Sequence, residues 1–365
     1  MVSKFKIPVY RPDLSGNEKK YVNQCLDTSW ISSRGNFVSK FEENFSDYID
    51  VAKATSVSNG TVALHLALHA IGISKGDEVI VPSLTYVASA NAITYVGATP
   101  VFADSSLEDW NLDIDSVISK ITPKTRAILA VHLYGNPCDM DKLVDICKKH
   151  KLFLIEDAAE AFGSKFKDKH VGTFGDIATF SFFGNKTLTT GEGGMVVSND
   201  EDLIKRCAYL KSQAVSLKKE YWHDELGFNY RMTNICAAIG VAQLEKANQT
   251  ILKKRKLLEW YKEDLKNLPI SFQVEQNNSF NSYWMASITL HESNQRNKLR
   301  KHLNDAGIET RPFFPLMHKL PLYNNGEILK NAEILEKSGI NLPSFPLITP
   351  KELSYITNEI KSFFK

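Results

Sequence analysis

The sequence predicts an α/β fold, in which a large unit with a mostly parallel sheet between helices is followed by a smaller α+β unit. Two features carry this. Between residues 54 and 200, short β-rich runs alternate with helical stretches, the rhythm of repeated strand-helix-strand wiring. Beyond about 233 that rhythm gives way to a long helical pattern, a strand, a helix, a short strand and terminal helices.

Taken in order, DEVIV (77–81), TPVFAD (99–104), RAILAVHL (126–133) and LFLIED (152–157) are dense apolar runs, as expected of strands covered on both faces. Helical spacing covers 61–71, after a Ser-Asn-Gly cap, and then 88–96, 114–121 and 140–150. Strands at 176–182 and 194–198 are joined by a polar, glycine-bearing segment too short for a crossover helix. One long helix is predicted over 233–268, then a strand at 283–290, a helix at 293–306 and a strand at 308–311. The boundary is placed within the long helix, giving units 1–247 and 248–365, without repeats or low-complexity tracts.

A chain of 365 residues has room for two or three domains of ~100–200 residues each. With 43% hydrophobic and 24% charged residues it is neither disordered nor fibrous. The net charge of +2 leaves no broad basic field for nucleic acid. The longest apolar run, 235–242, falls far short of the ~20 residues that span a bilayer, and the amino terminus lacks the apolar core of a secretory signal. A cytosolic protein, off the membrane, is expected. Five cysteines form an odd set without C-x-x-C, so reduced thiols are expected and no zinc ribbon. LKKRKL (252–257), followed by Glu259, Glu263 and Asp264, reads as a solvated helix face on which Arg255 and Glu259 form an exposed pair.

Ligands of open α/β sheets collect beyond the carboxyl ends of the strands, so those ends carry the candidate chemistry. SNGT (58–61) opens a helix and offers either a phosphate cradle or a plain cap. Tyr86 follows a strand, where its ring either stacks on a planar ligand or packs in the core. Glu156 and Asp157 close an apolar strand, and a carboxylate there needs a cation or a protonated ring nitrogen as partner. Lys186 lies on the short segment between two strands, ahead of glycines that permit close backbone approach. In this order, a phosphate cradle, a stacking ring, an acid and an enclosed lysine meet the needs of pyridoxal 5'-phosphate. His65 and His69 stand one turn apart without a third ligand, so helix packing is expected there and no metal.

SNGTVALHLAL, GDEVIVPSLTYVASANAI, VHLYGNPCDM, IEDAAEAFGS, GTFGDIATFSFFGNKTLTTGEGGMV and LGFNYRMTNICAAIG together resemble the DegT-type nucleotide-sugar aminotransferases, nearly end to end. The resemblance implies the fold-type-I architecture of pyridoxal-phosphate enzymes. It implies a Schiff base between Lys186 and the cofactor, which alternates with its pyridoxamine form. Asp157 would partner the pyridine nitrogen, Glu160 would stand near the phenolic oxygen, Tyr86 would stack, and Gly60, Thr61 and Ser181 would hold the phosphate. Asn229 is similar to an asparagine that reaches the phosphate of a neighbouring subunit, which implies a homodimer with shared sites.

Trp30, Ser32 and Arg34 in SWISSRG, with Arg311 and His318 in ETRPFFPLMHKLPLY, resemble segments bordering the sugar-nucleotide cleft; for Arg311 and His318 a plain loop role stands equally open. TTGEGG, YWHD (221–224), YRMTNICAAIG and INLPSFP narrow the likeness within the family. They imply transfer of the amino group of L-glutamate to C4 of GDP-4-keto-6-deoxy-D-mannose, giving a sugar for O-antigen lipopolysaccharide. UDP- or dTDP-linked keto-sugars remain alternatives. Dehydration is disfavoured, because the related dehydratases have histidine where this chain has Lys186.

Overall fold

A computed structural model describes residues 5–216 and 218–365, so the first four residues of the amino-terminal stretch read above lie outside the described residues. The strands, in chain order, are β1 (Lys53–Val57), β2 (Glu78–Pro82), β3 (Thr99–Ala103), β4 (Thr125–Val131), β5 (Phe153–Asp157), β6 (Lys165–Phe166) and β7 (Lys169–His170). They continue as β8 (Ile177–Ser181), β9 (Gly194–Ser198), β10 (Ile270–Phe272), β11 (Ser279–Phe280), β12 (Ala286–Leu290), β13 (Arg311–Pro312) and β14 (Gly339–Leu342). The helices are α1 (Glu18–Asp27), α2 (Asn36–Ile49), α3 (Gly60–Ala70), α4 (Val87–Tyr95), α5 (Ile114–Ser119) and α6 (Met140–His150). Then follow α7 (Glu201–Leu210), α8 (Asn234–Glu245), α9 (Ala247–Leu265), α10 (Arg296–Asp305), α11 (Lys330–Ser338) and α12 (Pro350–Phe363).

Seven strands form the main sheet in the order β1-β9-β8-β5-β4-β2-β3. Neighbours pair parallel except that β9 runs against both β1 and β8. The reversal follows from the short 182–193 connection, which has no room for a crossover. Alternate residues bury on opposite faces: Val79, Val81, Leu129 and Ile155 enter one core, while Ile80, Ile128 and Leu154 enter the other. Each such side chain taken from water contributes on the order of 1.5–3 kcal/mol, which is why both faces are apolar.

The second sheet, β10-β12-β14-β13, packs with α9, α10 and α12 around a core of its own that includes Ile7 near the amino terminus. Ile7 bridges to Ile308, so this early segment lies against elements from the last third of the chain. Here the structure departs from three expectations. The expected strand at 308–311 is reduced to Arg311–Pro312 beside that bridge, and the helix expected from 293 starts as a short 3-10 turn over Ser293–Gln295. The long helix expected over 233–268 is two helices meeting at Lys246, whose ammonium lies 3.2 Å from Asp13 Oδ1 and 3.0 Å from Glu18 Oε1. No helix of the described residues is long and apolar enough to cross a membrane.

The LKKRKL stretch also differs. Arg255 pairs with Glu275 at 2.8 Å and donates to the Asn281 carbonyl at 2.6 Å, instead of meeting Glu259. Lys254, in the middle of that basic run, is buried at 1% exposure. The phase of α9 turns this one lysine toward the ends of β12 and β14 and leaves Lys253 and Lys256 exposed.

Candidate active site

Because β1, β2, β4, β5 and β8 run parallel, their carboxyl ends share one rim, and a cavity of about 550 Å³ opens there. Gly60, Thr61, Tyr86, Asp157, Glu160, Ser181 and Lys186 all line it. Trp30, Ser32, Arg34, Asn229, Arg311 and His318 are not among its walls.

At the β1 end, Asn59 caps α3 by accepting from Val62 N–H at 3.0 Å, which leaves the first-turn amides of Gly60 and Thr61 without an intrahelical partner. Cap and cradle are therefore one structure. The helix can start this close to β8 only because residue 60 is glycine: a Cβ there would stand 2.7 Å from Ser181 Cβ. Helix amides, the positive end of the dipole and a nearby hydroxyl form an anion cradle.

Asp157 ends β5, buried at 4% exposure. Burial pushes its carboxyl up, while a 2.8 Å bond from Ser89 Oγ to Oδ2, the Ala159 N–H, Lys186 and His132 pull it back. Ser89 in turn meets Thr85 Oγ1 at 3.2 Å. The neighbouring Glu156 points the other way, accepting from the Gly172, Phe174 and Gly175 amides and facing His132 Nε2 at 3.1 Å. His132 Nδ1 accepts from Cys138 N–H, so the proton of the ring sits on Nε2.

Lys186 lies in the 182–193 loop with its Nζ 3.9 Å from Glu160 Oε1 and 3.7 Å from the centroid of the Trp284 ring. Desolvation holds its ammonium below the ordinary lysine value, opposed by Glu160 and Asp157. Glu160 is buried, and burial pushes its carboxyl up to about 7 against the pull of Lys186 and of the Tyr134 N–H. A lysine whose ammonium is weakened by burial, beside a carboxyl pushed up to about 7, is a pair suited to proton exchange.

These residues fit pyridoxal phosphate. The Gly60–Ser181 contact shapes an anion cradle, a buried acid lies on the same rim, and a partly buried amine lies on the adjoining loop. Asn185 adds a buried side-chain oxygen without a hydrogen-bond partner among the described residues. Tyr86, 57% exposed, stands at the mouth with its ring 5.6 Å from that of Phe314.

Of the candidates outside the cavity, Asn229 is exposed and accepts from Arg231 Nη2 at 2.9 Å. The Trp30–Arg34 loop is exposed and pinned by Asn234, which donates to Trp30 O and Ser32 O. Arg311 is an exposed partner of Glu309 at 2.7 Å. His318 does not border an open cleft in this chain: it is buried, with Nδ1 2.6 Å from Ser83 Oγ, because the turn at Met317–Lys319 docks on the end of β2. His65 Nδ1 meets Tyr230 OH at 2.9 Å, and His69 packs on Phe228.

Sequence reading missed Ser89, Asn185, Glu192, Trp284 and Phe314 in the cavity. Ser89 stands one helical turn from Tyr86, and Asn185 and Glu192 flank Lys186, so those three had a local signal. Trp284 and Phe314 arrive from far along the chain and had none.

The DegT/DnrJ/EryC1/StrS aminotransferase family matches residues 12–361. The chain is 55% identical to the GDP-perosamine synthase of Escherichia coli O157:H7, covering 98% of each chain, and 51% identical to that of Vibrio cholerae, covering 98% of this chain and 99% of the other. Its backbone superposes with a TM-score of 0.93 on a Helicobacter pylori aminotransferase involved in pseudoaminic acid biosynthesis, at 27% identity over 98% of this chain and 99% of that one. The chain belongs to the DegT/DnrJ/EryC1/StrS aminotransferase family.

Proposed function

We propose that this protein makes GDP-perosamine by moving the amino group of L-glutamate to C4 of GDP-4-keto-6-deoxy-D-mannose, with pyridoxal 5'-phosphate as cofactor. The observation that carries this reading is a single cavity in which Lys186, Glu160 and Asp157 stand together at the ends of β5 and β8. The extent of likeness to two GDP-perosamine synthases supports the choice of sugar.

When bound, pyridoxal phosphate supplies an aldehyde for an amine and a ring that draws in electrons from the α-carbon. The residues of the chain do the rest. Gly60, Thr61 and Ser181 bind the phosphate through amides and a hydroxyl. Asp157, oriented by Ser89, holds a proton on the ring nitrogen. Tyr86 covers one face and excludes water. Lys186, whose ammonium is weakened by burial, would serve as the base that takes the proton from the α-carbon of glutamate. Glu160 lies within reach of that amine and exchanges charge with it. Asn229 of a second copy completes the phosphate site in a homodimer, and Trp30, Ser32, Arg34 and Arg311, all exposed, serve the sugar-nucleotide side of the assembled cleft, whereas His318 is packed away on Ser83.

Adding L-glutamate to the cofactor-loaded protein should bleach its visible absorbance, and GDP-4-keto-6-deoxy-D-mannose should restore it with an aminated product detected by mass spectrometry. Lys186→Ala should abolish both. A preference for UDP- or dTDP-linked keto-sugars would overturn the nucleotide. Release of ammonia with a deoxygenated keto-sugar would replace amino transfer by dehydration.

A further inference from the structure

The groups behind the cavity converge on an unexpected centre. Lys254 of α9 is buried, and its Nζ donates to the Trp284 carbonyl at 3.0 Å and to the Ser344 carbonyl at 2.5 Å. The same nitrogen lies 5.1 Å from the centroid of the Tyr10 ring. Among the described residues no carboxylate pairs with it, so this charge is held by two carbonyls and one ring face alone. Burying an ammonium without a counter-ion is costly, and such groups persist where they do something an apolar side chain would not.

Both aromatic partners of Lys254 reach the reactive loop. Tyr10 OH donates to the Lys186 carbonyl at 2.8 Å, and Trp284 Nε1 donates to the Asn185 carbonyl at 2.7 Å. The Trp284 ring also faces the Lys186 ammonium. Consecutive carbonyls of the loop are therefore gripped by the side chains of two residues that Lys254 also holds, Tyr10 at its ring and Trp284 at its backbone carbonyl. The supporting chain is fixed as well: Ser344 N–H donates to the Val9 carbonyl, and Ser344 Oγ accepts from Ala286 N–H at 2.6 Å.

We propose that Lys254 is a positioning residue for Lys186, acting through Tyr10 and Trp284 to set the backbone at 185–186 and the ring face against which the Lys186 amine rests. This inference rests on the reading of Lys186 as the reactive amine. Burial holds the Lys254 ammonium down to about 7, in keeping with a strut free of compensating charge.

The test replaces Lys254 by Met, which keeps the length of the side chain and removes the donor. In the cofactor-free protein, the rate at which an amine-directed acylating reagent labels Lys186, read by peptide mass spectrometry across pH, should change about threefold or more. In the loaded enzyme, kcat should fall about tenfold with both KM values within about twofold, since small misplacements of a reacting group cost up to about a hundredfold. Lys254→Met and Trp284→Phe should be non-additive in kcat, as expected of residues acting along one path.

A folded Lys254→Met protein with wild-type labelling and kcat would overturn the proposal, and so would strict additivity. If Lys254→Met does not fold, Tyr10→Phe and Trp284→Phe decide instead: each removes one grip on the loop, and unchanged labelling of Lys186 in both would overturn it. The reading of Lys186 itself fails separately, if Lys186→Ala still responds to glutamate.

Discussion

The backbone N–H of Tyr134 donates to Glu160 Oε2 at 2.8 Å, and Tyr134 does so from the left-handed region, at φ 56°. A bulky residue seldom adopts that conformation, so the turn after β4 stores strain to deliver one amide to one carboxylate oxygen. Oε1 is left toward Lys186. The pair is thereby oriented, and its proton affinities are set by shared burial.

Glu160 should make the fold pH-dependent. Its folded proton affinity corresponds to about 7 against an ordinary 4.5, so the folded chain binds more protons between those values. Stability from this group is present below 4.5 and is lost as pH rises through about 7, by up to about 1.4 kcal/mol per pH unit. Urea unfolding of cofactor-free Glu160→Gln at pH 5 and 7 should show that loss removed; a slope matching the wild type would refute it.

Lys254 acts with the opposite sign. Its folded value of about 7 lies below the ordinary 10.5, so stability grows as pH rises from about 7 toward 10.5, again by up to about 1.4 kcal/mol per unit. In Lys254→Met the gain should disappear between pH 7.5 and 9, as read by denaturant midpoints.

Gly60→Ala should damage the phosphate cradle. The new methyl would meet Ser181 at 2.7 Å to Cβ and 3.0 Å to Oγ, and relieving it must move the start of α3. A cost of about 1–3 kcal/mol is expected from such overpacking, with cofactor affinity weakened about tenfold or more. Pyridoxal-phosphate titration by absorbance checks the second effect, and adding Ser181→Gly, which removes the clash but also the hydroxyl, should recover part of the stability alone.

Ser89→Ala removes the hydroxyl that donates to Asp157 Oδ2. Deleting a buried donor to a carboxylate costs about 1.5–3 kcal/mol, and the carboxyl should hold its proton more tightly still. A fall in kcat of about tenfold is expected from stopped-flow reaction with glutamate. Wild-type rates would mean that Asp157 needs no help from α4.

The main sheet was legible because burial on both faces writes dense apolar runs, as in ILAV of β4 and FLI of β5. The reversal of β9 was legible from loop length alone. The break at Lys246 was not, since the helical period runs on through it and the cause lies at Asp13 and Glu18, far off in the chain. Lys254 was hidden by its neighbours: within KKRK every residue has the same chemistry, and only the orientation of α9 separates the buried one. In the site, Lys186, Asp157, Tyr86 and the SNGT turn announced themselves by following strands, whereas Glu160 was reached only through the family resemblance. Trp284 follows no motif, and its place beside Lys186 is set by packing between segments far apart in the chain.

The seat of Lys186 draws on residues 10, 254, 284 and 344 as well as its own loop. A growing polypeptide on the ribosome cannot finish that seat until nearly the whole chain has been synthesised. A product that stops short of residue 284 carries Lys186 without the ring and the donor that Trp284 brings to its loop.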